Sequence, residues 1–265
     1  MQDGYPERIV CLTEETTETL YLLGEVDRLV GLSGDTVRPP RARKEKPRVS
    51  AFTSAKIDRI LALEPDLVLG FSDLQADIAA ELIRHGLDVR VFNQRSVAGI
   101  LGMIRGLGGM VGCAARADAL AGRLETDLAA IRAAADALPR RPKVYFEEWD
   151  DPLISCIRWV SELVGIAGGE ELFPELAAQS LGRDRIIAEP EEVVRRAPDI
   201  IVGSWCGKTF RPERVAERPG GSGVPAVRDG ELHEVKSAQI LQPGPAALTD
   251  GVRALHEIVR AWAHR

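Results

Sequence analysis

Residues 57–70 have the sequence IDRILALEPDLVLG, and residues 193–203 repeat its pattern as VVRRAPDIIVG. In both copies an apolar stripe with helical spacing precedes a proline, and an aspartate follows. The proline disfavours further helix, and the aliphatic run that closes on glycine is typical of a buried parallel strand. Two copies of one helix–turn–strand unit predict two similar α/β lobes.

Short apolar runs alternate with helical patterns around the first copy, which is typical of βαβ units and a parallel sheet. The sequence predicts strands at 8–12, 29–32, 67–69 and 89–92, and helices at 14–23, 57–63 and 74–85. These elements predict one open α/β lobe.

An Ala-rich helical pattern runs from Ser96 to Leu138 and stops before Pro139. Alanine has the highest helix propensity, and the glycines between 106 and 112 predict a break into two helices, the second one long. Beyond it, strands are expected at 143–147 and 232–235 and a closing helix at 246–263. The predicted domains are an N-terminal α/β lobe at 1–112, a linking helix at 113–139 and a C-terminal α/β lobe at 140–265.

Composition restricts the functional class. The 265 residues are 45% hydrophobic, and the net charge is −6, with no basic stripe of the kind that binds nucleic acid. The basic residues between Arg38 and Arg48 lie in a Pro-containing loop and are interpreted as a solvated patch. No apolar run reaches the ~18 residues of a membrane span, so membrane insertion is not expected.

The four cysteines are far apart and form no C-x-x-C pair, which disfavours a zinc knuckle or a disulfide framework and favours free thiols in a reducing compartment. The first residues lead directly into a short apolar run without a signal-peptide pattern. As written, the chain is therefore expected in the cytoplasm; a trimmed leader would make it periplasmic.

The Pro-Asp-strand-Gly units, the single long helix and the opening strand that leads into TEETTE (13–18) resemble the periplasmic binding proteins for cobalamin, iron siderophores and haem. The pattern G-L-S-x-D-x-x-x-P-P (31–40) and the segment VSAF (49–52) resemble loops of the cobalamin branch. This resemblance implies two Rossmann-like lobes joined by a long backbone helix, with a ligand cleft between them. It also implies a monomeric substrate-binding component of an ABC importer, with a cobalamin-like corrinoid as ligand and no covalent cofactor.

Eight residues are predicted to bind the ligand. Trp149 and Trp205 each follow a strand among polar or glycine neighbours, where open α/β sheets bind ligands; core packing is the alternative for both. Phe52 and Phe71 stand where the family places aromatic residues that contact the corrin ring, which implies a smaller stacking surface here. The others are Glu14 at the start of the first helix, Cys206 beside Trp205, and Lys236 and Gln239 after a strand.

Other chemistry is not expected. Glu15 and Glu18 are interpreted as acids that stabilise a helix N-terminus. For the second acidic cluster, a structural role and a functional role are equally favoured; this cluster contains Glu147, Glu148, Asp150 and Asp151. No histidine lies in a predicted cleft loop and no G-x-S-x-G is present, so neither a metal site nor catalytic residues are predicted.

Two classes of partner remain open. For delivery to an ABC permease, the resemblance implies one carboxylate on each lobe, for which Asp77 or Glu81 and Glu213 or Glu217 are candidates. The alternative is a cytoplasmic corrinoid-binding or sensing protein without a transporter. Iron-siderophore or haem binding remains the alternative for the ligand.

Overall fold

The computed structural model describes residues 4–265. It divides into two compact units: unit 1 contains the chain through Gln94 together with Ala98–Arg123, and unit 2 contains Arg95–Val97 and Leu124–Arg265. Each unit has its own sheet with helices, so the predicted two-lobed α/β architecture is confirmed. The limits predicted for the domains stay a prediction. Within residues 4–265, no helix combines the length and apolarity that a bilayer crossing requires.

Unit 1 is built on a six-stranded sheet. Its strands are β1 (Ile9–Cys11), β2 (Leu29–Ser33), β3 (Arg48–Ala51), β4 (Ser54–Ala55), β5 (Leu67–Phe71) and β6 (Val89–Phe92). The spatial order is β4-β3-β2-β1-β5-β6, and only the β3–β4 pair is antiparallel. The central strands β1 and β5 are buried throughout, as expected for uninterrupted apolar runs in a parallel sheet.

The helices that begin in the first half of the chain are α1 (Glu14–Leu22), α2 (Ala42–Glu45), α3 (Ile57–Leu61), α4 (Ala76–Arg84), α5 (Val97–Met110) and α6 (Ala114–Asp136). The predicted break lies between α5 and α6, where Gly112 has φ +74°, a conformation that glycine adopts without strain. A Cβ at Gly108 would lie 2.2 Å from the Ala117 Cβ, so this glycine permits close packing. The 23-residue α6 is the predicted long helix, and its residues divide between the two units.

Unit 2 has a smaller sheet. Its strands are β7 (Lys143–Asp150), β8 (Leu153–Ser155), β9 (Glu170–Glu171), β10 (Ile200–Gly203) and β11 (Leu232–Glu234). The order is β11-β10-β7-β8, with β9 also paired to β7. The strands β11, β10 and β7 are parallel, whereas β8 returns antiparallel to β7. The carboxyl ends of β7, β10 and β11 therefore share one edge.

The helices of unit 2 are α7 (Arg158–Ala167), α8 (Pro174–Ala177), α9 (Glu191–Arg196), α10 (Pro212–Ala216), α11 (Pro225–Arg228), α12 (Ser237–Ile240) and α13 (Val252–Ala263). The closing helix predicted at 246–263 is regular only from Val252, because a π-helical turn occupies Ala247–Gly251. A Cβ at Gly251 would lie 2.5 Å from the Gln239 carbonyl oxygen, so this turn approaches α12 more closely than a larger residue would permit.

The repeated Pro-Asp motif makes the same contact in both units. The Asp66 carboxylate accepts the backbone N–H groups of Glu7 and Arg8 before β1, at 2.7 and 2.9 Å. The Asp199 carboxylate likewise accepts the N–H of Lys143, at the start of β7, at 2.8 Å. Each aspartate thereby aligns its own strand with the neighbouring central strand.

Candidate functional site

The candidate surface of unit 2 lies at the carboxyl end of β10, where the last residue, Gly203, pairs with Glu147 and the neighbouring strand β7 continues to Asp150. Trp149 follows on β7; it is half-buried, and its indole Nε1 donates to the Asp151 carbonyl at 2.9 Å. The Nζ of Lys208, from the loop after β10, lies 3.6 Å from the centre of the Trp149 ring. This edge therefore presents an oriented aromatic ring with an ammonium group beside it.

Asp150 holds the cations of this surface in place. Its side chain is 1% exposed, with Oδ1 2.9 Å from Lys208 Nζ and Oδ2 2.7 Å from Arg214 Nη1. Burial alone would raise the pKa of Asp150, but the hydrogen bond from Lys208 and the charges of Lys208 and Arg214 hold it below its ordinary value. The carboxylate is thus charged at neutral pH and positions Lys208 over the tryptophan.

Trp205 lies in the core of unit 2 and is only 2% exposed. Its Nε1 donates to Glu147 Oε1 at 2.9 Å, and its ring meets that of Phe210 edge-on, with 5.1 Å between the ring centres. A ring so enclosed has almost no surface for a ligand. The structure therefore favours core packing, the alternative interpretation of Trp205, over the predicted ligand contact.

Three of the four carboxylates at the end of β7 and directly after it have cationic partners. The fully buried Glu147 accepts a hydrogen bond from Arg218 Nη1 at 2.5 Å, and Glu148 accepts one from Arg185 Nη1 at 2.5 Å. Asp150 forms ion pairs with Lys208 and Arg214. These contacts favour the structural interpretation of Glu147 and Glu148. Sequence reasoning missed Arg185, Arg214 and Arg218, because no local signal connects an arginine to a carboxylate 37 or 71 positions away.

Cys206, Lys236 and Gln239 stand near the same strand ends, but the structure gives them different surroundings. Cys206 is exposed, and none of the four cysteines, all of which lie within residues 4–265, forms a disulfide. The ammonium of exposed Lys236 is paired with the carboxylate of Glu234, the last residue of β11. Gln239 is half-buried in α12. Cys206 and Lys236 are thus accessible at the surface of unit 2.

In unit 1, the strand ends are joined by Gln75, a fully buried residue that sequence reasoning missed. Its Nε2 donates to the carbonyls of Phe52 at 2.8 Å and Leu12 at 3.3 Å, and its Oε1 accepts the Phe71 N–H at 2.9 Å. One amide group therefore links the segments that follow β1 and β3 to the last residue of β5. A Cβ at Gly70 would lie 2.8 Å from Gln75 Oε1, which explains the glycine in the first Pro-Asp motif.

The two phenylalanines of unit 1 differ in exposure. Phe52 is half-buried, and its N–H donates to Asp35 Oδ2 at 2.7 Å. Phe71, in contrast, is 4% exposed. Phe52 is therefore the more accessible of the two aromatic residues predicted to contact a ligand.

The acids of α1 are buried. Glu14 is 4% exposed, and its Oε2 accepts the Val37 N–H at 3.1 Å, while Glu15 accepts the Thr13 hydroxyl at 2.6 Å. Burial raises the pKa of Glu14 to about 8 and that of Glu15 to about 7. Glu18 is paired with Arg38 at 2.9 Å. Glu14 thus supplies a carboxyl group that is largely protonated at neutral pH.

Within residues 4–265, no group of three or more histidine, cysteine, aspartate or glutamate side chains is arranged to hold a metal ion.

A family model described as "Periplasmic binding protein" matches residues 9–238. The chain is 26% identical, over 96% of its length and 80% of the relative's, to a protein of Bacillus subtilis named as an uncharacterized ABC transporter substrate-binding lipoprotein. It is 24% identical to the vitamin B12-binding protein of Vibrio parahaemolyticus, over 97% and 89% of the two chains. The periplasmic heme-binding protein RhuT of Roseiflexus has a similar fold, with a TM-score of 0.79 at 24% identity over 96% and 99% of the chains.

Proposed function

The chain belongs to the periplasmic binding protein family, as its sequence resemblance predicts, and from that premise we propose that it is the substrate-binding component of an ABC importer for a corrinoid. Proteins of this family bind substrates for transport and are not enzymes. The relative named as vitamin B12-binding supports the ligand class. The relative named as an ABC transporter substrate-binding lipoprotein supports the importer role.

The observation that carries this proposal is Trp149. Its half-buried ring lies at the carboxyl end of the unit 2 sheet, where open α/β sheets bind their ligands, and the Asp151 carbonyl fixes its orientation. Since Lys208 lies over one face of this indole, the opposite face is the one proposed to stack against a flat macrocycle. The half-buried Phe52 of unit 1 is proposed as a further aromatic contact, with less area than a tryptophan.

Polar groups near the strand ends of unit 2 suit the periphery of a corrinoid. Lys208, held by Asp150, offers an ammonium donor to a phosphate, and exposed Lys236 offers a second cation. Gln239 can exchange hydrogen bonds with amide side chains of the ligand, whereas the buried carboxyl of Glu14 in unit 1, 4% exposed, has almost no surface for a ligand. Cys206 is proposed to lie near the ligand without being its obligatory anchor.

The test is a titration of the purified protein with cyanocobalamin, followed by absorbance and native mass. We expect binding, and we expect Trp149→Ala to weaken it by about 1–3 kcal/mol, the range for removal of a stacked, partly buried aromatic. The matched control is Trp262→Ala, since Trp262 packs against Arg140, 4.4 Å from its ring, and should affect stability alone. If the parent and Trp149→Ala bind cyanocobalamin with equal affinity, Trp149 does not contact the ligand.

The same titration with cobinamide, haemin and a ferric hydroxamate siderophore separates the ligand classes. Preference for haemin or the siderophore would replace the corrinoid while leaving the importer role in place. Binding of none of the four would contradict the ligand class. A monomer remains the predicted state in every case.

For the location, we propose the periplasmic alternative over the cytoplasmic one. The relatives are named as a lipoprotein and a vitamin B12-binding protein, and the RhuT structure is named as periplasmic. For delivery to the permease, exposed Asp77 of α4 and exposed Glu213 of α10 are the proposed docking carboxylates. Glu81 is a weaker candidate than Asp77, because it already pairs with Arg84 at 3.2 Å; the exposed Glu217 stays an alternative to Glu213.

A further inference from the structure

Unit 2 contains a cavity of about 440 Å³ on one side of its sheet. Its walls are mainly apolar and come from β8, β10 and the segments around α9, α10 and α11. The valines Val193, Val194, Val215, Val224 and Val227 supply much of this lining. The volume lies within the range of about 300–1,000 Å³ that is typical of small-molecule sites. The cavity is large enough to hold an organic group.

Four charged residues line this cavity, and two of them are already neutralised. Asp150 is paired with Lys208 and Arg214, and Arg218 is paired with the buried Glu147 at 2.5 Å. The other two are the exposed carboxylates Asp151 and Glu191. Neither has an ion-pair partner among residues 4–265. The cavity thus combines apolar walls with two exposed carboxylates that have no ion-pair partner among residues 4–265.

We propose that this cavity is a binding site for a small organic cation with an apolar body. The apolar body would occupy the space between the valines, and the cationic group would lie toward Asp151 and Glu191. An anion would be repelled by the two carboxylates, and a neutral molecule would gain nothing from them, so charge complementarity selects the cation. The site goes beyond the proposed corrinoid function and does not depend on it.

Calorimetric titration of the full chain with benzyltrimethylammonium tests the proposal, with its neutral isostere neopentylbenzene and the anion benzenesulfonate as comparisons. We expect the cation to bind at least tenfold more tightly than the neutral isostere, and the sulfonate not to bind. The double substitution Asp151→Asn/Glu191→Gln should lower the affinity for the cation at least tenfold. The control is Glu257→Gln, which removes an exposed carboxylate of α13 in the same unit that does not line the cavity and should leave the affinity unchanged.

A cavity-filling substitution tests the location. Val194→Trp should abolish binding of both the cation and the neutral isostere. Since a core substitution can impair folding, Val227→Phe serves as a second filling variant, and each variant is used only if its circular dichroism matches that of the parent. Equal affinity for the cation and its isostere, no binding of either, or undiminished binding in a folded filling variant would each overturn the proposal.

Discussion

Replacement of Arg218 by methionine should destabilise unit 2 more than any exposed arginine replacement would. Arg218 donates to the carboxylate of Glu147 through Nη1 at 2.5 Å and Nη2 at 2.9 Å, and Glu147 is completely buried. Methionine keeps the length of the aliphatic chain but removes the charge. Of the side-chain hydrogen bonds to Glu147 described above, only the one from the Trp205 indole would then remain.

The magnitude follows from the burial of this pair. Breaking a buried ion pair from one side typically costs about 3–5 kcal/mol, because a charge remains without compensation. The Arg218 side chain is 23% exposed, so water can partly replace it, and we expect a loss of about 3 kcal/mol, at the lower end of that range. With a urea slope of about 2 kcal/mol per molar, the midpoint of unfolding should fall by about 1.5 M.

Tryptophan fluorescence provides a selective assay, because all four tryptophans (149, 159, 205 and 262) lie in unit 2. The matched control is Arg195→Met, since Arg195 is exposed on α9 and pairs with surface glutamates, so its loss should not move the midpoint measurably. The double variant Glu147→Gln/Arg218→Met should recover most of the loss, because no buried charge remains. Equal midpoints for Arg218→Met and Arg195→Met would refute the argument.

Three further predictions concern the strand ends and the helix that follows β1. Burial raises the pKa of Glu14 from its ordinary value near 4.5 to about 8, so the folded state holds this proton more tightly, and the free energy of unfolding should fall as pH rises from 4.5 to 8. Urea unfolding at pH 5 and pH 9, followed by far-UV circular dichroism, measures this fall. The fall in stability should be smaller for Glu14→Gln than for the parent, and it should be unchanged for the exposed control Glu213→Gln. Asp66→Ala and Asp199→Ala should each lower the free energy of unfolding by about 1–2 kcal/mol, with the larger loss for Asp66→Ala, because Asp66 accepts two backbone N–H groups and Asp199 accepts one. A larger loss for Asp199→Ala in thermal unfolding would contradict this role. If a corrinoid binds, Cys206→Ser should leave its visible spectrum nearly unchanged, whereas a marked spectral shift would identify sulfur as a ligand to cobalt.

The architecture could be predicted from the sequence because its determinants are local or repeated. The apolar run at Leu67–Phe71 and the run at Ile200–Gly203 identify buried strands, and the two Pro-Asp motifs identify two related units. The long helix at Ala114–Asp136 follows from alanine content, and the break before it follows from glycine. Helix and strand limits differed by a few residues, because the last turns depend on contacts outside the segment.

The candidate site was only partly predictable. The sequence predicts Trp149 and Trp205 just after two strands; the structure places Trp205 two residues beyond β10, but Trp149 lies within β7, which extends to Asp150. Their exposure is not encoded locally, since Trp205 is enclosed by Phe210 and Glu147 from other segments, whereas Trp149 stays half-buried beneath Lys208. In the same way, an acidic run that suggested possible chemistry becomes a set of ion pairs once Arg185, Arg214 and Arg218 are placed beside it.

The sequence by itself therefore determined the class of the longer segments, the number of lobes and the family, because periodicity, proline, glycine and repeated motifs act over a few residues. Tertiary structure alone decided which side chains are accessible, which carboxylates are neutralised and where a cavity remains. The physical reason is that burial and Coulomb interaction depend on distances between segments, such as the 2.5 Å between Arg218 and Glu147. These two residues are 71 positions apart in the sequence, and nothing in the sequence between them reveals that they are in contact.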